Sequence, residues 1–434
     1  MSAKEVVVRV IPAIGDIAAE GWDACANPSP VPAGAPAPPQ VPVTGSASSD
    51  PKSTHEHGRQ VARAAQSFSS ARGYNPFISH AFLHALEVSG SVAARTGWQP
   101  QHLLAQTREG TVVGAVPCYL KSHSRGEYVF DHGWAEAYAR AGGDYYPKLQ
   151  VSVPFTPASG ARLLVKSGTD CGALHGALAA GLVELCRLRE ASSVHVTFAL
   201  PTEWDLLGDH GFLKRTDQQF HWHNAGYSSF DDFLSALAAR KRKTIRRERR
   251  DALAPGIEVQ WLVGSDLTEA AWDAFFAFYM ETGSRKWGRP YLTRSFYSLI
   301  GEAMGDRVLL IMAKRAGRFI AGAINFIGCD TLYGRHWGAI EHHPFLHFEL
   351  CYYQAIDYAI ANKLAHVEAG AQGEHKLARG YLPVTTYSAH HIADPVLRRA
   401  IADYLKRERA YVDAVGHELA EAAPFRKDLI AGEA

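Results

Sequence analysis

Residues Thr331–Pro383 read TLYGRHWGAIEHHPFLHFELCYYQAIDYAIANKLAHVEAGAQGEHKLARGYLP, and this stretch decides the fold of the chain. Its pattern predicts a strand over Thr331–Trp337, an amphipathic helix over Leu346–Lys363 and a short buried strand over Ala365–Ala369. Apolar residues recur in the helix at spacings of three and four, which is the period of one buried helical stripe. A strand, a helix and a second strand in this order indicate an α/β unit.

A polar, glycine-rich loop follows the second of these strands and begins at Gly370. Ligands of α/β proteins usually bind beyond the carboxyl ends of the strands. We therefore predict that the reaction centre lies in this loop. Its polar side chains are Gln372, Glu374, His375, Lys376, Arg379 and Tyr381.

The bulk composition is that of a globular protein without a strong overall charge. Of the 434 residues, 47% are hydrophobic and 21% are charged, and the formal net charge is +1. This length favours two domains. No run is expected to reach the roughly 18 apolar residues of a membrane helix, and the first residues lack the pattern of a signal peptide. The six cysteines show no close pairing and indicate reduced thiols in a cytoplasmic protein without an integral membrane segment.

The chain contains two copies of one pattern. Residues 102–120 and 308–327 each predict a β-hairpin, with turns at Gly110 and Gly317. A helix with an apolar stripe and a short apolar strand follow each hairpin. A repeat of this length with the same order of elements predicts two copies of one α/β unit.

The repeat sets the predicted domain boundaries. The first unit comprises residues 1–27 and 74–225, and the second comprises residues 226–434. Residues 28–73 are rich in proline, alanine and serine, and such a segment cannot bury enough apolar surface to fold. We predict that residues 28–73 form a disordered insertion in the first domain, either a functional tether or a neutral expansion of a loop.

A helix predicted over Phe230–Ala252, at the start of the second unit, is strongly basic. Residues 240–250 contain eight lysine and arginine side chains and one acid, Glu248. Such a helix is either a solvated face or a surface that binds an anion. Like charges one turn apart repel each other, which favours anion binding. The predicted anion-binding residues are Lys241, Lys243, Arg246 and Arg247.

Four segments of the second unit carry a resemblance to a known family. They are RKRKTIRRERRDA…GIEV (240–259), LYGRHWGA (332–339), ELCYYQAIDYAIANKLAHVEAG (349–370) and HKLARGY (375–381). The chain resembles the FemAB-like proteins, relatives of the Fem-type peptidyltransferases within the GNAT superfamily of N-acyltransferases. The resemblance implies a layered α/β (α+β) fold of two tandem GNAT-like acyltransferase domains with mixed central sheets.

The resemblance also implies a class of reaction. Fem-type enzymes transfer an aminoacyl group from a charged tRNA to an amine on a cell-wall precursor. The implied function is an N-acyltransferase or aminoacyltransferase that acts on a small-molecule or peptide amine, with a peptidoglycan-related precursor as the candidate acceptor. The co-substrate would be acyl-CoA or aminoacyl-tRNA, with no tightly bound cofactor and no metal. The alternative is a non-catalytic module that recognises peptidoglycan fragments or RNA.

The choice of donor depends on how a phosphate would be bound. Ordinary GNAT enzymes hold the pyrophosphate of acetyl-CoA on backbone amides of an Arg/Gln-x-x-Gly-x-Gly/Ala turn. Neither unit contains that turn, and Pro344 occupies the corresponding place in the second unit. Because proline has no backbone N–H, a conventional acetyl-CoA site is not predicted. Lysine and arginine side chains would bind the phosphates of the donor instead.

The segment HKLARGY matches an aromatic-Lys-x-x-basic-Gly-aromatic element of the Fem-type enzymes, except that histidine replaces the first aromatic residue. Acyl transfer to an amine needs a proton acceptor and donors for the oxyanion. We predict that Lys376 and Arg379 face one oxyanion or phosphate and that Tyr381 protonates the leaving group. Glu349 and His336 are the candidate bases. For each of these five residues the alternative is a structural role.

An aromatic-rich segment of the first unit, between Tyr128 and Leu149, predicts the acceptor pocket. The alternative for this segment is aromatic packing in a core. The predicted substrate-binding residues are Asp131, Trp134, Tyr146 and Lys148 in the first unit and Trp287 in the second.

Overall fold

The computed structural model describes residues 6–28, 73–254, 256–287, 290–370 and 373–426. For Lys286, Trp287 and Glu374 the backbone alone is described. Residues 29–72, which make up most of the predicted insertion, lie outside the described residues. The same is true of Gln372.

The described residues form fifteen β-strands. They are β1 (Val6–Ile11), β2 (Trp98–Pro100), β3 (His102–Thr107), β4 (Val112–Val116), β5 (Cys118–Lys121), β6 (Lys148–Val151), β7 (Leu164–Val165), β8 (Ser193–Ala199), β9 (Leu213–His223), β10 (Ile257–Val263), β11 (Val308–Arg315), β12 (Arg318–Ile327), β13 (Thr331–Ala339), β14 (His366–Glu368) and β15 (Leu382–Ile392). The hairpin turns predicted at Gly110 and Gly317 connect β3 to β4 and β11 to β12.

Eleven helices accompany the strands in the described part of the chain. They are α1 (Ala19–Ala26), α2 (His80–Val88), α3 (His132–Arg140), α4 (Cys171–Leu188), α5 (Pro201–Asp209), α6 (Phe230–Ala236), α7 (Ala239–Leu253), α8 (Glu269–Trp287), α9 (Arg294–Met304), α10 (346–361) and α11 (Pro395–Glu421). Helix α10 contains one π-helical turn, Glu349–Tyr353. Polar side chains accept backbone N–H bonds at the starts of four helices, which satisfies donors that have no partner within the helix. These residues are Ser79, Asp170, Ser229 and Asp394.

The strands form two sheets. The large sheet has the order β10-β11-β12-β13-β14-β9-β15-β8-β6-β5-β2, and the small sheet has the order β1-β3-β4-β7. Two neighbouring pairs in the large sheet, β6–β8 and β13–β14, are parallel, and its other pairs are antiparallel. A helix crosses over between the strands of each parallel pair, α4 in the first half and α10 in the second. The predicted α/β class with a mixed central sheet is confirmed.

The two halves follow one plan and also share strands. Strand β15, from the C-terminal half, lies between β8 and β9, and strand β9, from the N-terminal half, lies between β14 and β15. The large sheet therefore runs without a break through both halves, which the sequence pattern did not indicate. The domain boundary at residues 225 and 226 directly follows β9 and stays a prediction.

Two histidine pairs occupy equivalent positions in the two halves. The Nδ1 atoms of His195 and His390 lie 2.7 Å apart between β8 and β15. Those of His223 and His366 lie 2.9 Å apart between β14 and β9. In each pair one Nδ1–H donates to the other Nδ1, and the accepting nitrogen must be unprotonated. Burial lowers the pKa of His195 to about 3 and that of His223 to about 3.

We expect these pairs to make the fold sensitive to acid. A histidine in an unfolded chain has a pKa near 6.5, so unfolding takes up protons below that pH. The contribution of these buried neutral histidines to the free energy of unfolding is therefore fully present above about pH 6.5. It is lost as the pH falls towards 3. At pH 5, His195 and His223 should each lower the free energy of unfolding by about 2 kcal/mol. Urea midpoints measured from pH 8 to pH 4.5 check this expectation.

Carboxyl groups titrate in the same range, so matched variants are needed. Replacing His195 and His390 together by asparagine should make the pH dependence shallower, because the titrating rings of one pair are gone. The exposed His417 provides the control, and His417→Asn should leave the dependence unchanged. An identical dependence in wild type and in the double variant would contradict the expectation.

Helix α4 is, among the described helices, the one that is long and apolar enough to cross a membrane by length and composition. This corrects the expectation that no run would reach that limit. The apolar stripe of α4 is buried against β3, β4 and β8. Its members are Leu174, Leu178, Leu182 and Leu185. In this fold α4 is a core helix of the first half.

Candidate functional site

The large sheet opens where β13 and β14 separate. Their parallel pairing begins with Thr331 beside His366 and ends with Tyr333 beside Glu368. Strand β14 stops there, whereas β13 continues to Ala339 beside β12. An opening beyond the carboxyl ends of parallel strands is the usual place for a ligand in α/β folds. We call it the β13–β14 cleft.

A β-bulge brings two neighbouring side chains of β13 to one face of the sheet. The register between β12 and β13 shifts after Ile324, where Ile324 pairs with His336 and Asn325 pairs with Gly334. Arg335 is the additional residue, and bulges of this kind often redirect a side chain beside a site. Arg335 and His336 both line a narrow, mostly apolar crevice. Its other lining residues are Phe82, Leu86, Pro154, Phe155, Thr156, Leu292, Phe296, Tyr297, Ile324 and Phe326.

His336 was predicted as a base, and the structure places it in this crevice. Its ring centroid lies 5.1 Å from that of Tyr279. Burial, together with the charge of Arg335, lowers the pKa of His336 to about 3. The ring is therefore neutral at neutral pH, and a nitrogen of such low basicity is a weak proton acceptor.

Glu368 is a buried carboxyl group at the end of β14, with 5% of its surface exposed. Burial raises the pKa of Glu368 to about 8, and the charges of Arg335 and Arg162 oppose that rise. Arg162 comes from the first half and is fully buried, with its Nε donating to the carbonyl of Thr197 at 3.0 Å. Groups from both halves thus meet beside the β13–β14 cleft.

Lys376 lies in the loop that follows β14, as the sequence predicted. The residue is 2% exposed, and its Nζ donates to the carbonyl of Gly370 at 2.8 Å. Burial lowers the pKa of Lys376 to about 8, with Cys351 opposing the change and Arg335 adding to it. Lys376 is therefore a partly desolvated ammonium group near the end of β14.

Arg379 has different partners from Lys376. Its Nη2 donates to the two carboxylate oxygens of Glu248 at 3.0 and 2.9 Å, and its Nη1 donates to the carbonyl of His375 at 2.8 Å. The guanidinium lies 3.5 Å from the ring centroid of Phe348. This arrangement contrasts with the expectation that Lys376 and Arg379 face one oxyanion or phosphate.

Glu349, the other predicted base, is fully buried in the π-helical turn of α10. Arg249 donates to its two oxygens at 3.1 and 2.9 Å, and Gln354 donates at 2.8 Å. Arg249 also bonds to Asp357 at 2.6 Å. A carboxylate with these partners is a structural anion that holds α7 against α10.

Tyr381 is fully buried between the loop and α10. Its hydroxyl lies 3.5 Å from the carbonyl of Tyr352, and the two rings pack edge to face at 5.6 Å. Burial raises the pKa of Tyr381 well above its usual value. Tyr381 thus packs in the core, which fits the structural role that was the alternative to protonating the leaving group.

The basic helix α7 presents two different faces. Ile245, Glu248 and Ala252 are buried, which explains why the single acid of the run faces Arg379. Of the predicted anion-binding residues, Lys243, Arg246 and Arg247 are exposed and Lys241 is half-buried. Arg246 pairs with Asp231 at 2.9 Å. The outward face of α7 is therefore a cationic surface.

An aromatic cluster stands on the loop side of α10. The hydroxyl of Tyr352 lies 2.8 Å from Nε2 of His375, and the ring centroids of Phe348 and His375 lie 5.8 Å apart. The ring of His347 is 5.5 Å from that of Tyr352. We call these four residues the aromatic shelf. Phe348 connects the shelf to the Arg379 guanidinium.

The substrate-binding residues predicted in the first half form a buried network. The Nζ of Lys148 donates to Asp131, to Glu127 at 2.7 Å and to Ser124 at 2.8 Å. Tyr146 bonds to the same Ser124 through its hydroxyl, at 2.8 Å. Lys148 is fully buried, so these contacts describe an internal ion-pair network.

Trp134 packs beside this network, with its ring centroid 5.0 Å from that of His390 and 5.1 Å from the Arg215 guanidinium. Trp134 therefore has the alternative role predicted for this segment, which is aromatic packing in a core. Trp287 ends helix α8, and its side chain lies outside the described part of the chain. The structure thus places four of the five predicted substrate residues around one buried network in the first half.

The sequence profile of the FemAB-like family, described by its role in peptidoglycan biosynthesis or recognition, matches residues 60–427. The chain belongs to the FemAB-like family. The family resemblance seen in the sequence is thereby confirmed. The family connects the protein with peptidoglycan biosynthesis or recognition.

Solved structures of similar fold have low sequence identity to the FemAB-like protein. FemX has a TM-score of 0.49 at 12% identity, over 80% of this chain and 98% of its own. A tandem GNAT protein from the clavulanic acid biosynthesis pathway has a TM-score of 0.40 at 14% identity, over 78% and 96%. L-PGS from Bacillus licheniformis has a TM-score of 0.47 at 8% identity, over 77% and 98%. A search of curated proteins found no match.

Three residues beside the cleft were missed in the sequence. Arg335 and Glu368 lie inside the segments YGRHW and HVEA, which were identified as strands. An ionisable side chain in a buried strand is costly unless it is paired or functional. The presence of Arg335 and Glu368 in two predicted strands could therefore have indicated the site. Arg162 could not be found in this way, because its link to Glu368 depends on contact between distant parts of the chain.

Among the residues that the structure describes, no group of three or more His, Cys, Asp or Glu side chains is arranged to hold a metal ion. Three histidines lie at the start of α10: His342 and His343 precede the helix, and His347 is in its first turn. His343 pairs with Glu341 at 3.0 Å, and His347 packs on Trp337.

Proposed function

We propose that this FemAB-like protein is an N-acyltransferase or aminoacyltransferase. It would move an acyl group from an activated donor to an amine on a peptidoglycan-related precursor, and it would act in the cytoplasm, as reduced cysteines indicate. The single observation that carries the proposal is the family match over residues 60–427. The arrangement at the β13–β14 cleft supports it.

The β13–β14 cleft offers the chemistry that amide formation requires. When an amine attacks a carbonyl carbon, negative charge develops on the carbonyl oxygen, and preorganised cations stabilise it. The ammonium of Lys376 and the guanidinium of Arg335 lie in a water-poor setting, where such stabilisation is strongest. The carboxyl group of Glu368 adds a group that can exchange a proton.

The outer face of α7 and the aromatic shelf favour a donor that carries phosphates. Lys243, Arg246 and Arg247 offer side-chain cations to phosphate oxygens. The ring of His375 in the aromatic shelf is exposed, and exposed rings stack on bases with little regard to sequence. Both aminoacyl-tRNA and acyl-CoA contain phosphates and an adenine base, so the same surface suits either donor.

Recognition without catalysis is the second candidate function, because the family description includes recognition of peptidoglycan. In that case, the protein would bind muropeptides or RNA but would form no product. The buried partners of Arg379 and Glu349 are compatible with a rigid binding scaffold. Product formation separates the two candidates.

The proposed function is tested by incubating the full-length protein with an aminoacyl-tRNA mixture or with acetyl-CoA, and with muropeptides that carry a free amine. Mass spectrometry should detect an acylated muropeptide with one of the donors. Absence of any product, together with muropeptide binding, would favour recognition instead.

We expect tRNA affinity to fall steeply with salt if the cationic surface of α7 binds the donor. Replacing Lys243 and Arg247 by alanine should weaken binding and reduce the slope of log K against log salt concentration by about 1.5. Filter binding between 50 and 300 mM salt measures this. The exposed Lys406 and Arg407 on α11 give a control of equal charge, and an equal loss in both double variants would contradict a specific surface.

A further inference from the structure

Glu368 occupies a special place in the large sheet. It is the last residue of β14 and forms the last pair with β13, beside Tyr333. Its neighbour Val367 is buried in the core between the sheet and α10. Because side chains alternate along a strand, Glu368 faces the opposite side of the sheet, where Tyr333 packs on Phe77. The carboxyl group thus lies on the face that Arg335 also reaches.

Charged and titratable groups surround Glu368 from every packed element. They are Tyr333 and Arg335 on β13, Asp330 before β13, Arg162 and the backbone N–H of Ser159 from the first half, and His221 beside it on β9. The two guanidinium groups favour the ionised carboxylate, whereas burial and Asp330 favour the protonated form. This balance leaves the group able to change protonation near neutral pH.

The other candidate proton acceptors beside the cleft are less suited. Glu349 is bonded to Arg249 and Gln354, so its lone pairs are already occupied. His336 is a weakly basic ring in the crevice. Glu368 differs from both: its carboxyl group ends β14 near the charges of Arg335 and Arg162 and accepts from the backbone N–H of Ser159.

We propose that Glu368 accepts the proton of the attacking amine and that Lys376 donates a proton to the leaving group of the donor. This inference rests on the proposed transfer function and adds the acid and the base. The amine would approach from the open end of the strand pair, where Glu368 ends β14 and Lys376 follows in the loop.

The step balances in atoms and charge. The amine nitrogen attacks the carbonyl carbon of the donor, so that an N–C bond forms and the C–O or C–S bond of the donor breaks. The proton lost by nitrogen passes to the carboxylate of Glu368. The ammonium of Lys376 gives a proton to the leaving oxygen or sulfur, and proton exchange with water then restores both residues.

The test is the pH dependence of transfer for wild type and Glu368→Gln, measured with the donor that gives product. The wild-type rate should rise as Glu368 ionises and fall as Lys376 loses its proton, with a maximum near pH 8. Glu368→Gln should lower kcat by about 10²–10⁴-fold, abolish the rising limb and change KM by less than about twofold. A wild-type rate independent of pH from 6 to 9 would overturn the proposal.

A melting measurement and one further variant make the result unambiguous. Glutamine resembles the protonated carboxyl group, so Glu368→Gln should melt within about 2 °C of wild type; a folded variant with full activity would overturn this inference and leave the proposed function intact. Glu341→Gln, at a partly exposed glutamate that pairs with Arg315, should keep the wild-type profile. If wild type itself forms no product with any donor, the proposed function and this inference both fail.

Discussion

Replacing Arg379 by methionine should lower the free energy of unfolding by about 3–5 kcal/mol. Arg379 and Glu248 are 7% and 6% exposed, and the guanidinium binds both carboxylate oxygens. Methionine fills much of the same volume but leaves the buried carboxylate without its cation, while the hydroxyl of Tyr353 still donates to it. Urea unfolding at pH 7.5, followed by tryptophan fluorescence, measures the loss.

A double variant shows whether the lost pair causes this effect. Replacing Glu248 by leucine as well should recover part of the loss, because no buried charge is then left unpaired. The surface pair of Arg187 and Glu184 serves as the control, and Arg187→Met should leave the midpoint unchanged. A loss below about 1 kcal/mol for Arg379→Met would contradict the structural role of the pair.

The elements that depend on local pattern were predicted well. The hairpins turn at Gly110 and Gly317, and the apolar stripe of α10 faces the core. The loop after β14 was also located from the sequence, including Lys376. Turn residues and hydrophobic periodicity act over a few positions, so the sequence contains them directly.

Features that depend on distant parts of the chain were not predicted. Residues 230–252 were expected to form one helix, but it breaks at Leu237, which pairs with Phe425. The N–H of Ala238 donates to the carbonyl of Pro424 at 2.9 Å. A segment near the C-terminus thus interrupts a helix that local propensity favours.

The role of Glu248 shows the same difficulty. In the sequence it is the single acid in a basic run. That context suggests only a weak surface ion pair with a neighbouring lysine. In the structure it points inward to Arg379 and Tyr353. Likewise, the exchange of β9 and β15 between the halves requires pairing between strands far apart in the chain, which no local pattern reports.

Replacing Lys376 by methionine should lower the rate of acyl transfer by about 10²–10³-fold. The ammonium of Lys376 lies beyond β14 in a site with little water, where a positive charge stabilises an oxyanion best. Methionine retains the apolar stem of the side chain, and Nζ has one described bond, to the carbonyl of Gly370. The melting temperature should therefore change by only a few degrees.

Lys121 provides a matched control for this variant. It is also fully buried, with burial lowering its pKa to about 6, and its Nζ lies 3.5 Å above the ring of Trp98 in the first half. Lys121→Met removes a buried lysine amine of the same size away from the β13–β14 cleft. It should transfer acyl groups within about threefold of wild type.

The most direct test of a reaction centre at the β13–β14 cleft is the initial rate of acylated muropeptide formation for wild type, Lys121→Met and Lys376→Met, measured side by side by mass spectrometry. We expect product from wild type and Lys121→Met, and an initial rate at least about 100-fold lower for Lys376→Met. A folded Lys376→Met protein that forms product at the wild-type rate would contradict a reaction centre at the β13–β14 cleft.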